Sequence, residues 1–534
     1  MSRRAGVPVH NKVVFKDYNH KQSMLPLDID TSVPDKHMVR IINKAVDDMD
    51  MTPLFAMYPG GGRSSFHPAM MTKLLVYAYA DKVYSSRRIA KAARENIMYM
   101  WLCRGQAPDF KTINSFRGER MKEVFLHVFS EVVELLLMSG YIKQENYFVD
   151  GTKIEANANK YSAVWSKNVK RYKELVRKKC KEIIEMAETA NEAEEEAYGD
   201  NDLEELGDGR EIDSASIEDT VKRIDERLSQ TEDKVKTKKL KRAKKELESS
   251  CLPKMKRYEE QEKLLSGRNS YSKTDTDATF LMMKEDACGK GQPKAGYNAQ
   301  IGTENQYVIG FSIHQSAADV TCLKQHLKRL SDILKNKLPI NIVGDAGYGG
   351  EENYEYLKDN QLGNYLKYNT FDKEQSSKWR NDPLKTQNWK YDESIDAYQC
   401  AGGRHLNFSH EEKQQSAAGY ESSVRIYKSN DCHGCLYKAD CVKSPKAEAV
   451  RQMQVNRRGS ELRGEAKNNL NSPNGKKLRA RRSVEVESVF GDIKANGGVR
   501  RFTLRGCTKV DLEFGLHCIG HNFRKLAIAQ SRKA

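Results

Sequence analysis

Apolar residues recur at helical spacing in HMVRIINKAVDDMD, in PAMMTKLLVYAYADKVY and in MKEVFLHVFSEVVELLLMSG, which predicts an all-helical module over residues 37 to 142. A short strand, Asn146 to Val149, follows and ends at Asp150, where the chain is predicted to leave the sheet. From Tyr297 the pattern turns to strands, with GYNAQIGTE and QYVIGFSIHQS reading as a hairpin. The helix VTCLKQHLKRLSDILKN comes next, then the short strand LPINIVGD ending at Asp345, the glycine-rich turn AGYGG, and a helix in EENYEYLKDN.

Between these regions residues 161 to 270 are charged and helix-forming. An acidic block from Glu192 to Glu205, with Gly199 and Gly207 in or beside it, reads as a disordered loop. Beyond it Ile217, Val221, Ile224, Leu228 and Val235 mark a narrow apolar stripe, and two long helices are expected to pair as an antiparallel hairpin. The dense positive charge of Lys234 to Lys245 suits a DNA clamp or dimerisation arm, although such helices are more often solvated spacers. Residues 371 to 470 carry short β-like runs, DAYQC and SSVRIYKS. Near the end, LRARRSVEVESVFGDIK reads as a helix on which Val484 and Phe490 pack inward, and VDLEFGLHCIGHNFRKLAIA as a closing amphipathic helix.

A chain of 534 residues is too long for one simple core and predicts two to four domains. The division expected is a helical DNA-binding domain at 1–142, a catalytic core at 143–160 and 271–370, a helical insertion at 161–270, a cysteine-containing insertion at 371–470, and the last helices at 471–534. A net charge of +16 favours a polyanionic partner, DNA or RNA. No apolar run is long enough to span a bilayer and MSRRAGVPVHNKVVF lacks a signal-peptide core, so a cytoplasmic location is expected. The 11 cysteines are odd in number, and several, such as Cys103, Cys322 and Cys518, lie singly in apolar helical patterns, which argues against a disulfide scaffold.

Three carboxylates carry the candidate chemistry. Asp150 and Asp345 end β-rich runs and Glu487 lies on a helix; strand, hairpin, helix, strand with acids closing the first and last is the ribonuclease H order. The fold class expected is therefore α/β, a ribonuclease H-like mixed sheet flanked by helices. Hard cations such as Mg²⁺ or Mn²⁺ take oxygen ligands, and two of them can stabilise both the entering and leaving oxygens of a phosphodiester. The three acids are thus expected to be metal ligands. Glu485 competes with Glu487, since two positions apart on a regular helix they cannot share one site. Lys494, two helical turns past Glu487, would face the same centre and the DNA phosphate.

Other residues point to nucleic acid. SSRRIAKAARENIMYMWLCRG followed by APDFKTINSFRGER resembles a helix-turn-helix, with Lys111, Asn114, Arg117 and Arg120 on the exposed face of the second helix. Arg500, Arg501 and Arg505 form a basic segment suited to phosphates. Cys432 and Cys435 as C-x-x-C, with Cys441 after and Cys400 before, have the chemistry of a structural Zn²⁺ site, reduced thiols being the other reading. Asp275 and Asp277 in TDTDA read as a capped turn entering the sheet, orientation of the active site being the other reading.

Taken together, YSSRRIAKAARENIMYMWLCRGQAPDFKTINSFR, VDGTKIEANAN, TDTDA, GYNAQ, GDAGYGG, the cysteine cluster and VEVESVFGDIK with RRFTLRG resemble a bacterial insertion-sequence transposase of the DDE type, over nearly the whole chain. The resemblance implies that Asp150, Asp345 and Glu487 bind two Mg²⁺ or Mn²⁺ ions and that Lys494 contacts DNA. It also implies binding to the element's inverted repeats, cleavage and strand transfer, and a homodimer on DNA. The related signature has a Tyr and an Arg seven and four residues before the Glu, where this chain has Ala480 and Ser483; Arg481 or Arg482 is expected to replace the Arg by a local shift. The rival readings are a plain nuclease of the same fold and a catalytically inactive DNA-binding protein.

Overall fold

The computed structural model describes residues 29–58, 65–195, 212–230, 233–283, 291–416, 419–444 and 448–533. Its centre is a six-stranded mixed sheet: β1 (Asn146–Glu155), β2 (Thr279–Met282), β3 (Pro293–Glu304), β4 (Tyr307–His314), β5 (Asn341–Gly344) and β6 (Gly363–Leu366). β1 pairs antiparallel with β3 and parallel with β5, and β5 pairs parallel with β6. The outer edge of β3 holds β2 and then β4. The expected hairpin is β3–β4, closed by Asn305 and Gln306 at φ 53° and 60°, the conformation whose twist matches the paired strands. Unlike the expectation, β1 does not end before Asp150; Ile154 and Glu155 still pair with β3, and Asp150 lies in mid-strand.

The helical segment and the sheet share one core. Buried residues from Val39 and Leu74 through Phe129, Tyr147 and Ile301 to Phe514 and Ile519 form a single apolar cluster. The closing helix Cys507–Lys533 is not amphipathic as expected: from Leu512 to Phe523 every residue is buried, because it is wedged between helix Pro68–Ala80 and β4. Gly520 makes that approach achievable, since a Cβ there would lie 2.8 Å from the Tyr79 backbone.

Among its described residues the segment 161–270 forms one long helix more than expected. Ser166–Glu195, Ser214–Gln230 and a continuous helix from Lys234 to Leu265 enclose their own small core of Cys180, Ile183, Ile217, Val221, Ile224, Leu240, Leu247 and Met255. The predicted stripe lines this core except at Val235, which is 66% exposed. From residue 196 the acidic stretch lies outside the described residues. A second sheet, of five antiparallel strands in sequential order from Lys390–Asp392 to Gln452–Val455, contains both β-like runs noted above. Among the described residues no helix is long and apolar enough to cross a membrane.

Candidate active site

The parallel register of β1 and β5 pairs Phe148 with Val343. Asp150 and Asp345 each follow that pair by two residues, so side-chain alternation brings both to neighbouring positions on one side of the sheet. Backbone donors orient both acids: the Gly151 N–H donates to Asp150 Oδ1 at 2.9 Å, and the Gly347 N–H to Asp345 Oδ1 at 2.8 Å. Their second oxygens face one guanidinium. Arg482 Nη2 lies 3.1 Å from Asp150 Oδ2 and 3.6 Å from Asp345 Oδ2, and its Nη1 lies 3.9 Å from Glu487 Oε1. Three distant chain segments thus deliver three carboxylates to one cation. Exposure rises from 16% at Asp150 to 41% at Asp345 and 61% at Glu487, so the cluster opens to solvent on the side of the helix.

That helix, continuous from Pro473 to Asn496, explains the departure from the related signature. Its turns Ser483–Glu487 and Asp492–Asn496 are π-helical, which adds one residue per turn. Arg482, five residues before Glu487, therefore occupies the place that a residue four before it would take on a regular helix. Arg481 points elsewhere, donating to Glu485 Oε1 at 2.6 Å and Asn305 Oδ1 at 3.1 Å. Glu485 is buried and also accepts the Gln306 N–H at 2.7 Å, so it fastens the helix to the β3–β4 turn. The same shift of phase corrects the packing expected of Val484, which is 58% exposed, while Val486, Val489 and Phe490 are buried. Lys494 Nζ lies 3.3 Å from Thr152 Oγ1, two residues beyond Asp150 on β1 and hence on the same face.

The basic residues divide. Arg117 is not on an exposed face: it is 3% exposed and donates to the Tyr79 hydroxyl at 3.0 Å, the Tyr84 carbonyl at 3.1 Å and Asn114 Oδ1 at 3.1 Å. The helix beginning at Phe110 runs through a π turn into Lys122–Met138, which turns Arg117 inward. Lys111 and Asn114 are exposed, and Arg120 stacks on Tyr58 at 4.3 Å. Arg501 and Arg505 are exposed but donate to the Ala156, Ala158 and Asn157 carbonyls, so they also clamp the loop after β1; Arg500 is exposed beside them. Asp275 and Asp277 lie in the turn that enters β2, closed by the Ala278 N–H on the Asp275 carbonyl at 3.0 Å, and their side chains also accept the Gly506 and Cys507 N–H groups at the start of the closing helix; Asp275 accepts from the Tyr297 hydroxyl as well. Burial pushes the Asp275 carboxyl above its ordinary range.

Sequence reasoning missed the polar layer behind β1: Asn298, Gln300, Asp319 and Tyr348. Asp319 stands immediately before the helix expected from Val320, with no motif to mark it.

The donor set at the acids fits hard divalent cations. All three groups are carboxylates, and the guanidinium among them occupies the place where positive charge is required. Among the described residues no three His, Cys, Asp or Glu side chains are gathered as a formed metal cage, which at the acids follows from their being spread around the bulkier Arg482. Cys400, Cys432, Cys435 and Cys441 share one neighbourhood at the second sheet: a Cβ on Gly402 would meet both the Cys435 and Cys400 sulfurs. The Cys441 thiol is pushed up by burial and by the other three sulfurs, while the Arg451 N–H donates to Cys432 Sγ at 3.3 Å. All the cysteines among the described residues are free.

Residues 399–527 match the family described as Transposase DDE domain, and residues 27–119 match Transposase domain (DUF772). Both matched families are transposase families, one over a C-terminal part of the chain and one near its start, and both support the resemblance to a DDE transposase. The DDE domain family implies metal-dependent DNA phosphoryl transfer. No curated protein matches the chain. The first span contains Arg482, Glu487 and Lys494; Asp150 and Asp345 lie outside both spans, and their place in the candidate site rests on the strand register and the shared guanidinium.

Proposed function

We propose that the protein binds the terminal inverted repeats of its own insertion sequence, cuts at the element's ends and joins the freed 3′-hydroxyls to target DNA. The observation that carries this reading is the convergence of Asp150, Asp345 and Glu487 on the Arg482 guanidinium. The strand order, with β1 between the antiparallel hairpin and two parallel strands, supports a ribonuclease H-like core at 143–160 and 271–370. Residues 1–142 would serve DNA binding, 161–270 and 371–470 are insertions, and 471–534 complete the site.

Asp150, Asp345 and Glu487 would hold two Mg²⁺ or Mn²⁺ ions. When bound, such a pair supplies Lewis acidity at both the attacking and the leaving oxygen of an in-line displacement. The chain's own residues do the rest. The Gly151 and Gly347 N–H groups keep one oxygen of each Asp engaged and the other directed into the site. Arg482 and Lys494, on one helix, neutralise the phosphate on which the acids converge, and Thr152 orients the lysine. The exposed Lys111, Asn114, Arg500, Arg501 and Arg505, with the partly buried Arg120, contact DNA, largely through phosphates. Each strand transfer exchanges one phosphodiester for another, so no nucleotide is consumed.

Both element ends must be held together, which calls for a homodimer on DNA in the bacterial cytoplasm. Cys400, Cys432, Cys435 and Cys441 would hold a structural Zn²⁺ that fastens the second sheet. The test is cleavage and strand transfer with Mg²⁺ or Mn²⁺ on DNA carrying the element's own ends, comparing wild type with Asp345→Ala. End-specific, metal-dependent products lost in D345A support the reading. Cutting without joining would favour the plain nuclease, and end binding without cutting the inactive DNA-binding protein.

A further inference from the structure

We propose that Asp319 is a fourth carboxylate of the metal centre, holding an ion together with Asp345; this rests on the reading of Asp150, Asp345 and Glu487 as metal ligands. Asp319 opens the short 3-10 turn Asp319–Thr321 after β4. Its Oδ1 accepts from two buried side-chain amides, Asn298 Nδ2 at 2.8 Å and Gln300 Nε2 at 2.8 Å. Gln300 in turn accepts from the hydroxyl of Tyr348, which is fully buried three residues after Asp345.

Two glycines place Asp319 against the face of β1 opposite Asp150 and against the turn after Asp345. A Cβ on Gly151 would lie 2.7 Å from Asp319 Oδ1, and a Cβ on Gly347 would lie 2.9 Å from Asp345 Oδ1 and 3.4 Å from Asp319 Oδ2. The Asp319 and Asp345 carboxylates therefore flank the same glycine. Among the described residues Asp319 Oδ2 accepts no hydrogen bond and Asp319 pairs with no Lys or Arg, whereas the other three acids share Arg482. One oxygen is thus held by two amide donors, and the other is left without a donor beside the Asp345 carboxylate. A partly buried carboxylate beside a second one, with no cation of its own, is the charge balance that a divalent ion corrects.

The experiment is Mn²⁺ titration of the full chain without DNA, read by electron paramagnetic resonance, for wild type, Asp319→Asn and Asp345→Asn. The amide variant keeps an oxygen for Asn298 and Gln300. Both variants should bind Mn²⁺ about tenfold or more weakly than wild type, with near-UV circular dichroism unchanged in D319N. Should D319N fold poorly, Fe²⁺-directed chain cleavage of the wild type replaces it, and a break beside residue 319 is expected. Wild-type affinity in a folded D319N with weakened D345N, or no break at 319 with one at 345, overturns the proposal alone. Mn²⁺ binding unaffected by D345N overturns the three-acid reading and the proposal with it.

Discussion

Glu304 closes β3, and its carboxylate receives four successive backbone N–H groups: those of Lys143 and Gln144 on Oε2 at 2.8 and 2.7 Å, and those of Glu145 and Asn146 on Oε1 at 2.9 and 3.2 Å. The residue is 4% exposed, so water is a poor substitute. β1 begins at Asn146, and this one side chain fixes where the strand carrying Asp150 starts. Glu304→Gln keeps the shape, leaves an acceptor for one pair of donors and turns an NH₂ toward the other. Two partly buried donors then lack an acceptor at about 1–2 kcal/mol each, which predicts a loss of about 3 kcal/mol. Against a net stability of roughly 5–15 kcal/mol that is a large fraction. The assay is urea denaturation followed by tryptophan fluorescence, with a lower midpoint and an unchanged slope expected. End cleavage should fall as well, because the displaced strand start moves Asp150. A midpoint within the error of wild type would refute the argument that this carboxylate is the sole acceptor of those amides.

Asp492 lies on the π turn after Glu487, and its carboxyl is held well below the usual range by its bond to His521 Nδ1 at 2.9 Å and then by Arg524 at 2.6 Å. A depressed carboxyl contributes stability above its unfolded pKa of about 3.9 and loses it as pH falls through the folded value; acid titration of stability should therefore be shallower in Asp492→Asn than in wild type, which also starts from a higher plateau. Glu487→Gln should abolish cleavage, by about 10³-fold, with an unchanged melting temperature, whereas Glu485→Gln should lower stability by about 2 kcal/mol through its lost buried bonds; thermal melts beside cleavage rates separate the two. Gly151→Ala puts a methyl group 2.1 Å from Gln300 Nε2, and the resulting overpacking of about 1–3 kcal/mol should appear as a lower urea midpoint together with slower end cleavage.

The acids were legible in sequence because strand alternation and the order of elements are local patterns. Asp345 follows a short apolar run, and the hairpin announces itself by two runs around Asn305 and Gln306. What was not legible depends on phase or on distant partners. A π turn shifts the face of a helix by one residue without any mark in composition, which is why Val484 was expected inside and the choice between Arg481 and Arg482 stayed open. Arg117 reads as a surface cation, yet its partners Tyr79 and Tyr84 lie more than 30 residues upstream. The closing helix reads as amphipathic since His517, His521 and Asn522 are polar; they are buried because Asn522 bonds both backbone groups of Val308 and His521 meets Asp492 and Gln306. The polar layer around Asp319 carries no sequence signal, since amides on alternate positions of a strand usually face solvent.

The most direct test of the central claim is to load the protein with Fe²⁺ in place of Mg²⁺, generate hydroxyl radicals with ascorbate and peroxide, and map where the chain breaks. Convergence of the acids on one metal centre predicts breaks clustered at residues 150, 345 and 487, suppressed by excess Mg²⁺ and lost in Asp345→Asn. Breaks confined to other segments, or breaks at these three that persist in D345N and in excess Mg²⁺, would contradict it.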